Sequence, residues 1–183
     1  MTRRQPRPAA LAASSAVPLP PYAQVVRTLP TGLHPYLALL PEALSSPAMC
    51  RIMPDARVRP RFVAGAKVRI SSERGFAYVD DEEREIIIAE GYYRRGAAVD
   101  LYLDLLHELT HIRQLDQGKN LWDESLPYPD RPTEVEGYAV AVEEGRRLGM
   151  SEPEIVLHLT NPWMSAADIE RLHASVVLWL RRG

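Results

Sequence analysis

The chain is short of the features that would place it in several broad classes. It has a single cysteine, Cys50, among 183 residues. One thiol cannot build an intramolecular disulfide framework, and it suits a reducing, cytoplasmic compartment. No apolar run approaches the roughly 18 residues that a membrane-spanning helix needs, so no membrane partner is expected. Net charge is only -2, which argues against a protein that coats nucleic acid. No internal repeat is present. What is there is ordinary globular material, 46% apolar and 25% charged, long enough for one domain with a core and too short for two comfortable ones.

Acid is missing altogether from residues 1–21, which carry five Pro, five Ala and three Arg. They show no apolar periodicity and read as a mobile tail ahead of one domain spanning 22–183. Arg3 and Arg4 before an Ala-rich stretch also leave a secretory or organelle-targeting reading open. Charge is uneven along the chain. Residues 1–72 hold ten Lys or Arg against Glu42 and Asp55, and the rest holds twelve against twenty-two acids. No aromatic residues are interleaved with the arginines, so packing of the basic stretch beside the acidic half is expected rather than contact with nucleic acid.

Apolar spacing gives a coarse map. Residues 33–49 read as one short helix broken by Pro41 and stopped by Pro47. Val58–Ile70 alternates and reads as a strand. Gly75–Val79 and Glu85–Ala89 read as a β-hairpin around the charged turn Asp80–Arg84. Ile86, Ile87 and Ile88 suit a strand covered on both faces or bordering a cleft. Ala97–Gln117 reads as a long helix on Leu101, Leu105, Leu109 and Ile112, stopped at Gly118. Helices follow from about Thr133 to Leu148, from the capping box Ser151–Glu154, and from Ser165–Asp168 onward.

Residues 107–111 read His-Glu-Leu-Thr-His. Four-residue spacing on a helix puts His107 and His111 on one face, where two imidazoles can meet one metal ion. Glu108 lies one step round, within reach of an attacking water as general base. Zinc suits this chemistry because three protein ligands leave a fourth position open. Gln114 and Gln117 stand where a metzincin-like continuation needs Gly and His. The segment around Cys50 is unlike the cysteine segment of peptide deformylases. The third ligand is then expected to be an acid on the next helix. Glu134 shares a face with Gly137, Tyr138, Ala141 and Gly145, which could approach the histidine helix closely. Glu136 shares a charged face and could cap the helix through Thr133-x-x-Glu136. Glu134 is the expected ligand and Glu136 the alternative.

This combination of His107-Glu-x-x-His111 with Glu134-x-Glu136-Gly137 resembles the gluzincin-type zinc peptidases. It is most similar to compact minigluzincins, including the ImmA/IrrE-type peptidases, over residues 75–145. Gly137 stands in place of their usual Ala, and Tyr138 in place of a frequent Asp or Asn. The resemblance implies an α+β, zincin-like single domain. In it a small, antiparallel-containing sheet with an active-site edge strand lies beside the histidine helix, and extra helices follow. It implies a zinc-dependent metallopeptidase acting on a peptide or protein. Tyr138 or Arg113 would assist the oxyanion, and the strand holding Ile86, Ile87 and Ile88 would bind extended substrate. The alternative is a non-catalytic zincin-fold binding or regulatory module that carries a zinc.

Overall fold

A computed structural model describes residues 18–182. In chain order the elements are β1 (Gly32–Pro35), α1 (Tyr36–Leu39), α2 (Ala48–Ile52), α3 (Arg59–Gly65), β2 (Lys67–Ser71), β3 (Ala77–Asp80), β4 (Glu85–Ala89), α4 (Glu90–Arg95), α5 (Ala98–Asp116), α6 (Pro132–Arg147), α7 (Glu152–Leu159) and α8 (Ala166–Arg182). The architecture is α+β. The tail reading falls mainly on residues 1–17, outside the described ones. Leu19, assigned to that tail, packs against the core instead.

The sheet order is β1-β2-β4-β3. β3 and β4 form the expected antiparallel hairpin, with Val79 opposite Ile86 and Ala77 opposite Ile88. The Asp80 carboxylate shapes its turn by accepting hydrogen bonds from the backbone N–H groups of Glu82 (3.1 Å) and Glu83 (3.0 Å). β2 pairs parallel to β4 and antiparallel to β1. Ile86, Ile87 and Ile88 are all buried, which a strand permits only when both its faces are covered. Residues 72–76 carry the chain from β2 to β3 across the end of β4. There the carbonyl of Phe76 accepts a hydrogen bond from the Ala89 N–H.

Two stretches differ from what their sequence leads one to expect. Arg59–Gly65, expected as strand, is helical, and only Lys67–Ser71 of that stretch joins the sheet. Pro60 explains this: its fixed φ suits a first helical turn, whereas inside a sheet it removes a ladder donor. Residues 33–49 do not form one helix either. Gly32–Pro35 pairs with β2, and α2 begins after Pro47 instead of ending before it.

The C-terminal helices follow the sequence closely. Gly118 (φ +73°) and Gly149 (φ +89°) turn the chain just past α5 and α6 in a left-handed conformation that side chains disfavour. Ser151 and Glu154 form the expected capping box at α7. α5 buries Leu101, Leu105 and Leu109 completely against the sheet and α6. The other side of α6 presents Val135, Ala139 and Val142 to Ile155, Leu159, Leu172 and Val176 of α7 and α8. α6 is thus covered on nearly every face, which fixes its distance from α5. Among the described residues no helix is long and apolar enough to cross a membrane.

Candidate metal centre and its cleft

α5 presents His107 and His111 one turn apart, and their Nε2 atoms lie 2.8 Å from each other. Glu134, in the first turn of α6, brings its Oε2 to 3.4 Å from His107 Nε2 and 3.7 Å from His111 Nε2. Donors around a tetrahedral zinc at bonds of about 2.0–2.1 Å stand about 3.4 Å apart, so the three separations bracket that spacing. All three residues are buried, at 3%, 2% and 1% exposure. An ionised carboxylate is costly to bury unless a cation meets it. Two imidazole nitrogens and one carboxylate oxygen converging on one point make a donor set that a divalent cation satisfies at once. His107, His111 and Glu134 are therefore a buried group able to hold a metal ion.

The surroundings orient these donors. Gln114 is fully buried, and its Nε2 donates to the Thr133 carbonyl (3.1 Å) and to Glu136 Oε2 (2.7 Å). Its Oε1 is left to accept from His111 Nδ1 at 2.7 Å. That assignment puts the His111 proton on Nδ1 and turns the Nε2 lone pair toward His107 and Glu134. Replacing Gln114 by Leu should weaken metal binding about 10–100-fold, the usual effect of losing a partner behind a ligating histidine, measured by competition with a chromogenic chelator. Affinity equal to the parent's would show that packing alone orients His111.

Glu136 does not cap α6, whose first residue is Pro132 and whose N-cap is Arg131. Its carboxylate instead pairs with Arg113 Nη2 at 2.7 Å and Lys119 Nζ at 2.9 Å. Burial alone would raise its pKa, but the hydrogen bonds from Gln114, Lys119 and Arg113 outweigh that and pull it down to about 2. Glu136 therefore lies behind the donors rather than among them. The same pair corrects the expectation for Arg113: its guanidinium is spent on Glu136 and does not line the cleft.

Gly137 shows why α6 can come so near. A Cβ there would lie 3.0 Å from His107 Cε1 and Nδ1 and 3.3 Å from Nε2. Gly137→Ala should push the imidazole by a few tenths of an ångström and weaken metal binding about tenfold while the fold persists. Titration with zinc, with circular dichroism as the check on folding, would test this; unchanged affinity would refute the steric argument.

A solvent-open cleft runs beside the donors. His107, Glu108 and Asp104 of α5 line it, with Ile87 and Ala89 of β4, Ala77 and Tyr78 of β3, and residues 73–76 of the preceding loop. Tyr138 of α6 completes one wall, its ring 4.3 Å from that of His107. Asn161 Nδ2 donates to the Tyr138 hydroxyl at 2.8 Å, and the Tyr128 hydroxyl lies 3.0 Å from it. Asn161 and Trp163, both cleft residues, come from the α7–α8 connection. Their segment carries no periodic or motif signal, so sequence reasoning missed them, as it missed Asp104 and the positioning role of Gln114.

The strand expected to bind substrate has no edge to offer. β4 borders the cleft, but β2 and β3 occupy both its hydrogen-bonding edges. Among the described residues, the open edge beside the cleft belongs to β3. Neither a family model, nor a curated protein, nor a solved structure matches the chain.

Proposed function

We propose that the chain is a zinc-dependent peptidase of the zincin type, with His107, His111 and Glu134 as protein ligands and Glu108 as general base. The observation that carries this reading is the convergence of three buried donor atoms, none more than 3.7 Å from another, beside a cleft that Glu108 also lines. Imidazole and carboxylate donors in this number suit zinc. A zinc held there would lower the pKa of water toward about 7 and would polarise a carbonyl. The chain's own residues supply the rest. Glu108 takes a proton from the attacking water and returns it to the departing amine. The Tyr138 hydroxyl accepts a hydrogen bond from Asn161, and its own O–H serves the developing oxyanion. An extended peptide pairs with the open edge of β3, whose neighbouring side chains form the cleft floor.

The open cleft beside the donors favours catalysis over a structural metal, for which the protein fills all four positions. The test is to load the purified chain with one equivalent of zinc, add a mixture of unstructured peptides, and follow new termini by mass spectrometry. Cleavage that a chelator stops and added zinc restores is the expected result. Full zinc retention with no cleavage would overturn the enzymatic reading in favour of a zinc-bearing binding module.

A further inference from the structure

We infer that the cleft selects a cationic group, an alkylammonium or guanidinium, and that Asp104 is the residue that reads it; this rests on the peptidase reading of the same cleft. Asp104 lies on α5 three residues before His107 and four before Glu108, hence on the same face, about 6 Å along the axis from the general base. It lines the cleft, and its side chain is 16% exposed. The carboxylate is held in place from behind. Tyr92 donates its hydroxyl to Oδ2 at 2.5 Å, and the Tyr92 ring is in turn packed edge-on against Phe76 at 4.8 Å.

Asp104 shares its neighbouring imidazole with a second carboxylate. The fully buried His158 side chain has Nδ1 3.0 Å from Asp100 Oδ1 and Nε2 3.8 Å from Asp104 Oδ1. Two carboxylates face one imidazole, so protonating His158 neutralises at most one of them. Among the described residues, three carboxylates line the cleft, Glu73, Asp104 and Glu108, against the single guanidinium of Arg74. A divalent ion must be counted too. Its two charges are met by Glu134 and Glu108, which leaves Glu73, Arg74 and Asp104 as the other acidic and basic side chains of the described lining. Glu73 and Arg74 are both exposed on the lip, where solvent screens them, whereas Asp104 sits within the cleft. Phe76, Tyr78 and Trp163 line the remaining walls, and a cation is favoured beside aromatic rings.

The cation can come from a Lys or Arg side chain next to the scissile bond or from a peptide's amino terminus. Four hydroxamates, which anchor on zinc through the same group, separate these sources: those of lysine and norleucine, each with a free and an acetylated α-amine. Their dissociation constants for the zinc-loaded full-length chain, measured by calorimetry, do not depend on turnover. A side-chain reader binds acetyl-lysine hydroxamate about tenfold more tightly than acetyl-norleucine hydroxamate; a terminus reader shows that advantage for norleucine over acetyl-norleucine. The advantage should shrink at high salt. In Asp104→Asn, an isosteric change that keeps an acceptor for Tyr92, the ratio should fall to about one, with zinc per chain as the check on folding. If acetyl-norleucine hydroxamate binds as well as every cationic analogue, or the advantage survives in Asp104→Asn, the inference falls and the peptidase reading stands. If no hydroxamate binds the zinc-loaded chain, the peptidase reading fails and the inference with it.

Discussion

Glu134→Ala should empty the metal centre, and Glu136→Ala should not. The first substitution removes the carboxylate oxygen that faces both imidazoles, at 3.4 and 3.7 Å, and leaves two ligands where a catalytic zinc usually has three. Affinity should fall by more than about a hundredfold, beyond what loss of an outer-shell partner does. Glu136→Ala acts differently. It strips the carboxylate from Arg113, whose side chain is only 10% exposed, and breaking such a pair costs about 3 kcal/mol of stability. Gln114 keeps its bond to the Thr133 carbonyl, so His111 stays oriented. Zinc per chain after dialysis against a mild chelator, set beside the midpoint of urea unfolding, separates the two effects. Equal zinc retention in both variants, or greater loss from the Glu136 variant, would sink the assignment.

Glu108→Gln should retain zinc and lose hydrolysis by about 10²–10⁴-fold, the usual worth of a positioned general base. A carboxamide can still accept a hydrogen bond from water but cannot take its proton near neutral pH. Glu108 lines the cleft while its neighbours on α5 hold the donor positions, so metal affinity and turnover should separate cleanly in this variant. Parental turnover on any peptide that the unaltered chain cleaves would show that another group does the proton transfer.

The parts of the site that were legible in the sequence are those whose geometry is local. His107 and His111 share a face because a helix repeats every 3.6 residues, and nothing beyond α5 is needed to see it. Glu134 was legible one level up. The small residues Gly137, Ala141 and Gly145 mark the face of α6 that can touch α5, and Glu134 lies on that face. Glu136 defeated the same reasoning. Its charged neighbours suggested solvent, yet Arg113 and Lys119 arrive from α5 and the loop after it to cover the carboxylate. The β3–β4 hairpin was legible from its turn and its isoleucines. Which strand has the edge beside the cleft was not, because that depends on β2, distant in sequence, pairing parallel to β4. Pro60 was a misread signal: alternation suggested a strand where proline's geometry starts a helix. Asn161 and Trp163 reach the cleft only because α7 and α8 fold back over α6, and no local pattern reports that.

The crossing at residues 72–76 has a consequence for engineering. β4 is inserted between the strands that precede it, so those five residues must bridge two strand spacings, about 10 Å. Fully extended, they reach at most about 17 Å. The rim of the cleft is consequently a tether with modest slack. Lengthening it should be tolerated and would alter only what the mouth admits. Deleting two or three residues would draw the tether taut and peel β3 from the sheet, taking the edge beside the cleft with it. Attempts to widen the entrance should therefore add residues here rather than remove them.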